Sequence, residues 1–442
     1  MSLSTSNSAA NDTIARAFEK HALYSEFVNV KNKLAEKGFV CWVAGGAVRD
    51  FLIGREVADF DLVTDATTDQ IMQIFPQALT VGASFGVVKL VLKDKSIFDL
   101  ATFRRESDYV DGRRPLHVDF ATPEEDAGRR DFTVNALFWD DQKKQVVDFV
   151  NGLQDIERKL LKCVGDPEIR FQEDHLRILR LLRFSIQLGF SSEPITLSAA
   201  TARVSLLQKI SGERILAEFE KMIPYVKWND FFTQPLAKQI LNFLFAENAI
   251  SEQDLSLNRE LRSVTQSIDV DKISGQESLR KFFFVVLVRY VLIKSEKNHW
   301  GDGVKAIKNT LKSRLKVGSD DLKVFDSLVF AYQNATLHDE SDQPQAHKLT
   351  YPQWALEAER NGLILDSLIF LEALQLFDSE LLKKLKQTYE APPPKLVDGN
   401  DLLGKVEKEK IGDILKKIRL LQFEEPTLNK AELLKAVGVE EK

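Results

Sequence analysis

The stretch Val40-Cys41-Trp42-Val43-Ala44-Gly45-Gly46-Ala47-Val48-Arg49-Asp50, with Asp59-Phe60-Asp61-Leu62-Val63 nine residues later, decides how the first third of the chain folds. Residues 40 to 44 are an apolar, strand-like run. The glycines after it open a short amphipathic helix through Leu52, whose free amides can hold a triphosphate. Asp59 and Asp61 belong to an alternating strand pattern with Phe60, Leu62 and Val63 as its apolar members, so period-two geometry sends both carboxylates to one face. Two hard oxygen ligands on one face suit magnesium. Taken singly, each half has a plainer reading, a Gly-Gly turn or an Asp-X-Asp pair on a solvated strand edge. In this order and spacing they are specific.

Composition bounds the remainder. At 442 residues the chain is too long for one compact core, and two to four domains are expected. A hydrophobic fraction of 44% with 29% charged residues is that of a globular protein. Only two cysteines occur, Cys41 and Cys163, so no disulfide framework is expected and a reducing cytoplasm fits. The Ser/Asn/Ala-rich start has no apolar core, and the longest apolar run, residues 282 to 293, carries Arg289 and is too short to span a bilayer; a buried helix is expected there, and no membrane partner.

The pattern changes near residue 150. Before it, strand signals fall at residues 40–44, 60–63, 87–92 and 97–103, the last two joined by the polar turn Lys93-Asp94-Lys95-Ser96, with helical segments at 14–37 and 69–75; this is an α/β head. After it, nearly everything has helical periodicity. Loop breaks fall at 191–194 and 341–352, and Ala391-Pro392-Pro393-Pro394 reads as a stiff spacer before a last small helical unit. The net charge of -6 does not by itself suggest nucleic acid. Local basic clusters matter more: Lys305, Lys308, Lys312, Arg314 and Lys316; Lys383, Lys384 and Lys386; Lys416, Lys417 and Arg419. Each has a solvated helix face as its plain reading. His338-Asp339 has no companion at metal-ligand spacing and reads as surface.

Two further motif regions carry chemistry. Asp99 ends up on the polar side of its strand, opposite Phe98 and Leu100, where it can approach Asp59 and Asp61 or serve as an ordinary exposed carboxylate. Residues 104 to 117, with Arg104, Arg105, Arg113 and Arg114 and little apolar content, read as a mobile basic loop. In Arg129-Arg130-Asp131-Phe132-Thr133-Val134-Asn135-Ala136-Leu137, two arginines offer forks for phosphate and ribose oxygens, with a salt bridge to Asp131 as the alternative. Farther on stand Glu173, Asp174, Arg177, Arg180 and Arg183. Arginines three residues apart drift about 60° per step, so with Asp174 they occupy one half of a helix surface. Leu181 and Phe184 share that half, which a freely solvated face would not carry, so the helix is expected to line a cleft.

Asp174 accepts and Arg177 donates. Cytosine and adenine both present an amine donor beside a ring-nitrogen acceptor, whereas uracil and guanine present a carbonyl beside an N–H. The pair therefore suits CTP and ATP and leaves polar groups unpaired against UTP and GTP, at a cost of about 1–3 kcal/mol per group.

The glycine turn and the aspartate pair resemble the polymerase-beta-like nucleotidyltransferase superfamily. The Arg-Arg-Asp block and Glu-Asp-X-X-Arg narrow this to the class II tRNA nucleotidyltransferase and bacterial poly(A) polymerase family, whose amino-acid template the latter block resembles. Asp148, Gly152, Asp155 and Gly165-Asp166-Pro167 resemble its connector, with Lys162 where the family commonly has arginine. Ser211-Gly212-Glu213-Arg214-Ile215 with Glu218 resembles its neck helix block. The match runs from about residue 39 to 221; Gly399-Asn400-Asp401-Leu402-Leu403 with Ile411-Gly412 is only weakly similar to the tail of some members, since charged residues replace the usual Gly/Pro pair between those pieces.

The resemblance implies a polymerase-beta-like α/β nucleotidyltransferase head followed by an all-α neck, body and tail. The expected boundaries are an N-terminal extension at 1–25, head at 26–150, neck at 151–220, helical body at 221–340 and helical tail at 341–442. It implies template-independent addition of C, C and A to the tRNA 3′ end from CTP and ATP, with pyrophosphate released. Asp59 and Asp61 are the expected catalytic and Mg2+ ligands, Gly46, Arg49, Arg129 and Arg130 the triphosphate contacts, and Asp174, Arg177, Arg180 and Arg183 the base contacts. An A-adding enzyme or poly(A) polymerase is a second reading, against which stand the acidic pI and the lack of a long basic tail. A non-catalytic RNA-binding protein that kept the fold is a third, and both metal aspartates speak against it.

Overall fold

The structure is a computed structural model that describes residues 8–80, 86–91, 97–109, 112, 115–226, 231, 234–245, 300–335, 349–373 and 377–439. The expected turn at 93–96, the apolar run at 282–293 and the His338-Asp339 pair lie outside these residues. Two compact units are present, Met1–Lys227 with Phe231–Phe243 and Trp228–Asp230 with Leu244–Lys442. The change of pattern near residue 150 therefore falls inside the first unit, and head and neck belong together.

The head sheet is built from β1 (Cys41–Ala44), β2 (Asp61–Thr64), β3 (Leu79–Thr80), β4 (Val87–Val91) and β5 (Ile97–Thr102). After the hairpin β6 (Arg104–Tyr109) and β7 (Pro115–Phe120), β8 (Leu137–Asp140) and β9 (Gln145–Asp148) complete it. Among the described residues it has seven strands in the order β3-β4-β5-β2-β1-β8-β9. β2 and β5 run parallel, with Asp61 beside Asp99, whereas β1 is antiparallel to both β2 and β8. Alternation along each strand feeds two cores. Val43, Leu62, Val88 and Leu100 pack on one face, and Ala44, Val63, Phe103 and Phe138 on the other.

Helices α1 (Ser8–Lys20) and α2 (Tyr24–Ala35) cover the first face, broken from each other by a turn at His21. Ile14 and Phe18, one helical turn apart, are fully buried in that core, and the Phe18 ring stacks 5.6 Å from Trp139. The described part of the segment expected as an extension outside the head is thus part of its packed layer. Helix α3 (Gly46–Leu52) follows β1, and α4 (Thr68–Ile74) opens on a capping box between Thr67 and Gln70. Helix α5 (Pro123–Gly128) has Pro123 in its first turn and a second capping box between Thr122 and Glu125.

The first unit continues through α6 (Gly152–Glu157), α7 (Pro167–Glu173), α8 (Leu176–Leu188), α9 (Pro194–Ala202) and α10 (Gly212–Met222). Here α8 packs on α10. A short parallel pair, β10 (Leu160–Leu161) and β11 (Ser191–Ser192), closes the α8 segment against the connector.

The second unit is helical in its described residues. Trp354, fully buried, meets Phe330 and Phe377 edge-on at 6.2 and 5.4 Å. At its end Val397, Leu402, Ile418, Leu433, Leu434 and Val439 form a separate small core. The proline tract expected as a stiff spacer is docked by its carbonyls: Arg419 donates to that of Pro393 at 2.8 Å, and Gln422 to that of Pro394 at 2.8 Å. Arg419, expected on a solvated face, is 7% exposed and ion-paired with Glu359 at 2.6 Å.

Candidate active site

Gly45 adopts φ +71°, and a Cβ there would lie 2.9 Å from Nη1 of Arg130. The position needs glycine both for its backbone and for the arginine that crosses it. Its amide donates to the Leu137 carbonyl at 2.8 Å, which ties the start of α3 to β8. Arg49, on that helix, is 3% exposed. It makes two bonds to Asp50, at 2.9 and 2.8 Å, donates to the Asn135 side chain, and lies 5.2 Å from the Phe184 ring. Burial lowers its pKa, against the pull of Asp50.

Asp61 begins β2, while Asp59 lies just ahead of the strand, with Phe60 buried between them. The alternation expected for the pair therefore holds although only Asp61 is in the ladder. Asp61 is held above the usual carboxylate range first by desolvation in the cleft wall and then by the Asp59 charge, with Arg130 pulling the other way. Asp99, its neighbour in the parallel register, accepts from Lys89 Nζ at 2.6 Å.

Residues 104 to 117 are not a mobile loop in their described part. They form the β6–β7 hairpin, with Arg104 opposite Phe120 and Glu106 opposite Val118. The charges that suggested a loop pair with one another and with α5: Arg104 donates to Glu106 at 2.9 Å, and Arg105 lies 3.4 Å from Asp119. Arg113 and Arg114 lie outside the described residues.

Arg129 and Arg130 pair with Asp126, not with Asp131, at 2.8 and 2.9 Å. Asp131 instead accepts from Arg180. Burial pushes the Asp131 carboxyl up, but Arg180, Asn135 and Arg177 outweigh it and hold the pKa at about 2.

Asp174 is not on the arginine helix. It is the extended residue, φ -133° and ψ 104°, between the end of α7 and the start of α8. There its Oδ1 accepts the Leu176 amide at 3.1 Å and lies 3.9 Å from Arg214. Arg177 is buried: Nη2 donates to the Arg129 carbonyl at 2.7 Å, and Nη1 to the Arg170 carbonyl and Glu173 at 3.3 and 3.2 Å. Arg183 pairs with Glu218 at 2.6 Å and sits 3.9 Å from the Phe184 ring. Desolvation lowers its pKa, which Glu218 opposes.

One cleft of about 1240 Å3 collects Gly46, Arg49, Asp59, Asp61, Arg129, Arg130, Asp174, Arg177, Arg180 and Arg183, together with Asp99. Arg214 and Lys221 from α10 also line it; the sequence singled out Arg214 only as part of a neck block. Asp126 and Glu106, which hold the arginines, were missed. The acidic run Glu124-Glu125-Asp126, three and four residues before the arginine pair, is the signal that could have found the first. Both cysteines are buried, with pKa values pushed up to about 12 by desolvation, and neither lines the cleft.

This head, with a glycine turn and a carboxylate pair facing clustered arginines, has the architecture of a nucleotidyltransferase. Residues 41–162 match the family described as the poly A polymerase head domain, and residues 189–249 match the probable RNA and SrmB-binding site of polymerase A. The fold is that of the Bacillus stearothermophilus CCA-adding enzyme solved in complex with CTP: TM-score 0.68, 24% identity, covering 94% of this chain and 98% of that one.

Over 311 residues the chain is 36% identical to the CCA-adding enzyme of Streptococcus suis (strain 05ZYH33), covering 70% of this chain and 71% of that one. It is 42% identical over 250 residues to the CCA-adding enzyme of Lactococcus lactis subsp. cremoris (strain MG1363), a match spanning 55% of this chain and 60% of that relative's length. The chain belongs to the family of CCA-adding enzymes.

Proposed function

We propose that this chain adds C, C and A to the 3′ end of tRNA from CTP and ATP, releasing pyrophosphate at each step. The observation that carries this reading is the meeting of Asp59 and Asp61 with Asp174 and Arg177 in one cleft. The curated names of its relatives support it.

A divalent metal fits the donor set. Among the described residues no three His, Cys, Asp or Glu side chains gather into a metal cluster of their own. Magnesium commonly keeps several waters and takes one or two carboxylates plus substrate phosphates, which is what Asp59 and Asp61 offer. Bound there, Mg2+ would acidify the RNA 3′-hydroxyl and neutralise charge on the departing pyrophosphate.

The chain's own residues do the rest. Gly46, Arg49, Arg129 and Arg130 hold the triphosphate, with the arginines supplying charge-assisted donors. Asp174 accepts the exocyclic amine of cytosine or adenine, and Arg177 donates to the ring nitrogen. Arg177 spends three hydrogen bonds on the carbonyls of Arg129 and Arg170 and on Glu173. A guanidinium has five N–H groups, so Nε and part of Nη2 remain for the base. Arg180 and Arg183 flank that position, fixed by Asp131 and Glu218. No helix of the described residues is long and apolar enough to cross a membrane.

The test is to incubate the protein with tRNA lacking its last three nucleotides and CTP, ATP or both. Two additions with CTP alone and three with both are expected. A single A added from ATP whatever the CTP, or a long A tail, would replace this reading with A-only or poly(A) addition.

A further inference from the structure

Behind the two arginines given to the triphosphate stands a carboxylate that does not itself line the cleft. Asp126 is fully buried. Its Oδ1 accepts from Arg129 Nε at 2.9 Å and lies 2.8 Å from Nη2 of the same residue. Its Oδ2 accepts from Arg130 Nε at 3.1 Å and Nη2 at 2.9 Å. Each guanidinium is thus gripped along its Nε–Nη2 edge by one oxygen of a single carboxylate.

The other edges are placed as well. Arg129 Nη1 donates to Glu106 at 3.0 Å, and Arg130 Nη1 to the Asn135 carbonyl at 3.3 Å. Glu106 also accepts from Arg104 at 2.9 Å. Among the described residues the result is an alternating row Arg104, Glu106, Arg129, Asp126, Arg130, each neighbour of opposite charge. Its cleft-facing members are Arg104, Glu106, Arg129 and Arg130.

Resting on the assignment of Arg129 and Arg130 to the triphosphate, we propose that Asp126 is the positioning residue of that subsite. It holds both guanidiniums from behind and so fixes the direction of the N–H groups they offer to phosphate oxygens. Without it, two adjacent cations would repel and regain rotamer freedom, and a fork that is not aligned loses its advantage over a diffuse charge. Asp126 is suited to this because it stays ionised: burial would raise its pKa, but Arg130 and Arg129 keep it below the usual carboxylate range. Helix α5 is itself fixed by its capping box, so the carboxylate has a rigid base.

Two variants separate position from charge. Asp126→Asn keeps the shape and removes the charge; Asp126→Glu keeps the charge and displaces the oxygens by one methylene. Calorimetry in magnesium buffer on the full chain would follow CTP, inorganic triphosphate and tRNA, with melting curves as the check on folding. Positioning predicts that both variants bind CTP and inorganic triphosphate roughly tenfold more weakly, by the same factor, with tRNA affinity unchanged. If either variant fails to fold, the folded one decides.

Tighter triphosphate binding in Asp126→Asn with parent affinity in Asp126→Glu would overturn the proposal, leaving a charge-balancing role. Equal losses for tRNA and triphosphate, or failure of both variants to fold, would overturn it in favour of a core role. No triphosphate binding by the parent would overturn this proposal and the subsite assignment together. Because the readout is binding, a chain that binds triphosphate through Asp126 yet extends no tRNA contradicts the proposed function alone.

Discussion

Arg180 on α8 donates from Nε to Oδ2 of Asp131 at 2.7 Å, with Nη2 2.5 Å from the same oxygen, so one pair joins the arginine helix to the head's Arg-Arg-Asp block. Asp131 is 7% exposed and its pKa is held at about 2, against an ordinary 3.8. A carboxylate depressed on folding contributes stability that is fully present above its unfolded pKa and lost as pH falls through the folded one. The pair should therefore contribute on the order of 2 kcal/mol near neutral pH, fading between about pH 4 and pH 2. Denaturant melts of Asp131→Asn across that window should show the lower neutral-pH stability and a flatter acid slope; a slope equal to the parent's contradicts the assignment.

Asp59→Ala and Asp61→Ala are each expected to lower nucleotide incorporation by roughly a thousandfold or more while leaving tRNA affinity nearly intact, since they are placed as metal ligands and not as RNA contacts. Single-turnover incorporation beside filter binding measures both. Normal turnover in either variant would remove the metal assignment.

Removal of Arg419 should act on folding and not on RNA. Its partner Glu359 is held below the usual carboxylate range chiefly by the hydrogen bond from this arginine. Arg419→Ala removes the bonds to Glu359 and to the Pro393 carbonyl but leaves Glu359 partly exposed with Lys395 at 3.6 Å, so a loss of about 1–2 kcal/mol is expected. A change in unfolding free energy from denaturant melts within a few tenths of a kcal/mol would show the pair to be incidental.

The remaining basic clusters are where RNA contact would be read. Joint charge removal at Lys305, Lys312 and Lys316, or at Lys383 and Lys386, should weaken tRNA binding and flatten its log-log salt dependence by about one unit per lost contact. Addition to a short RNA primer should suffer less. An unchanged salt slope would return these lysines to the solvent-facing role.

Four strands of the sheet, β1, β2, β4 and β5, and most residues that line the cleft were legible because their signals are local, whereas β3, β8 and β9 were not assigned. The run before Gly45, the spacing of Asp59 and Asp61 and the arginines at three-residue intervals are each set by neighbours in sequence. Local reading failed where partners are distant. Residues 104 to 117 looked like a loop because charged strands carry no apolar alternation, yet Arg104 pairs with Glu106, and Glu106 in turn with Arg129. Asp174 looked helical because Glu173 and Leu176 on either side are, yet it is the extended residue at the break between α7 and α8. Arg419 looked solvated because Lys416 and Lys417 are beside it, and Glu359, sixty residues earlier, buries it.

The central claim is that Asp174 and Arg177 act as a template made of protein, and the most direct measurement is incorporation of CTP, ATP, UTP and GTP, each offered singly, by Asp174→Ala beside the parent. Loss of the acceptor should relax discrimination against UTP and GTP by roughly tenfold, while triphosphate affinity changes little because that end is assigned to Arg49, Arg129 and Arg130 in the proposed reading. A CTP-over-UTP preference equal to the parent's would contradict it.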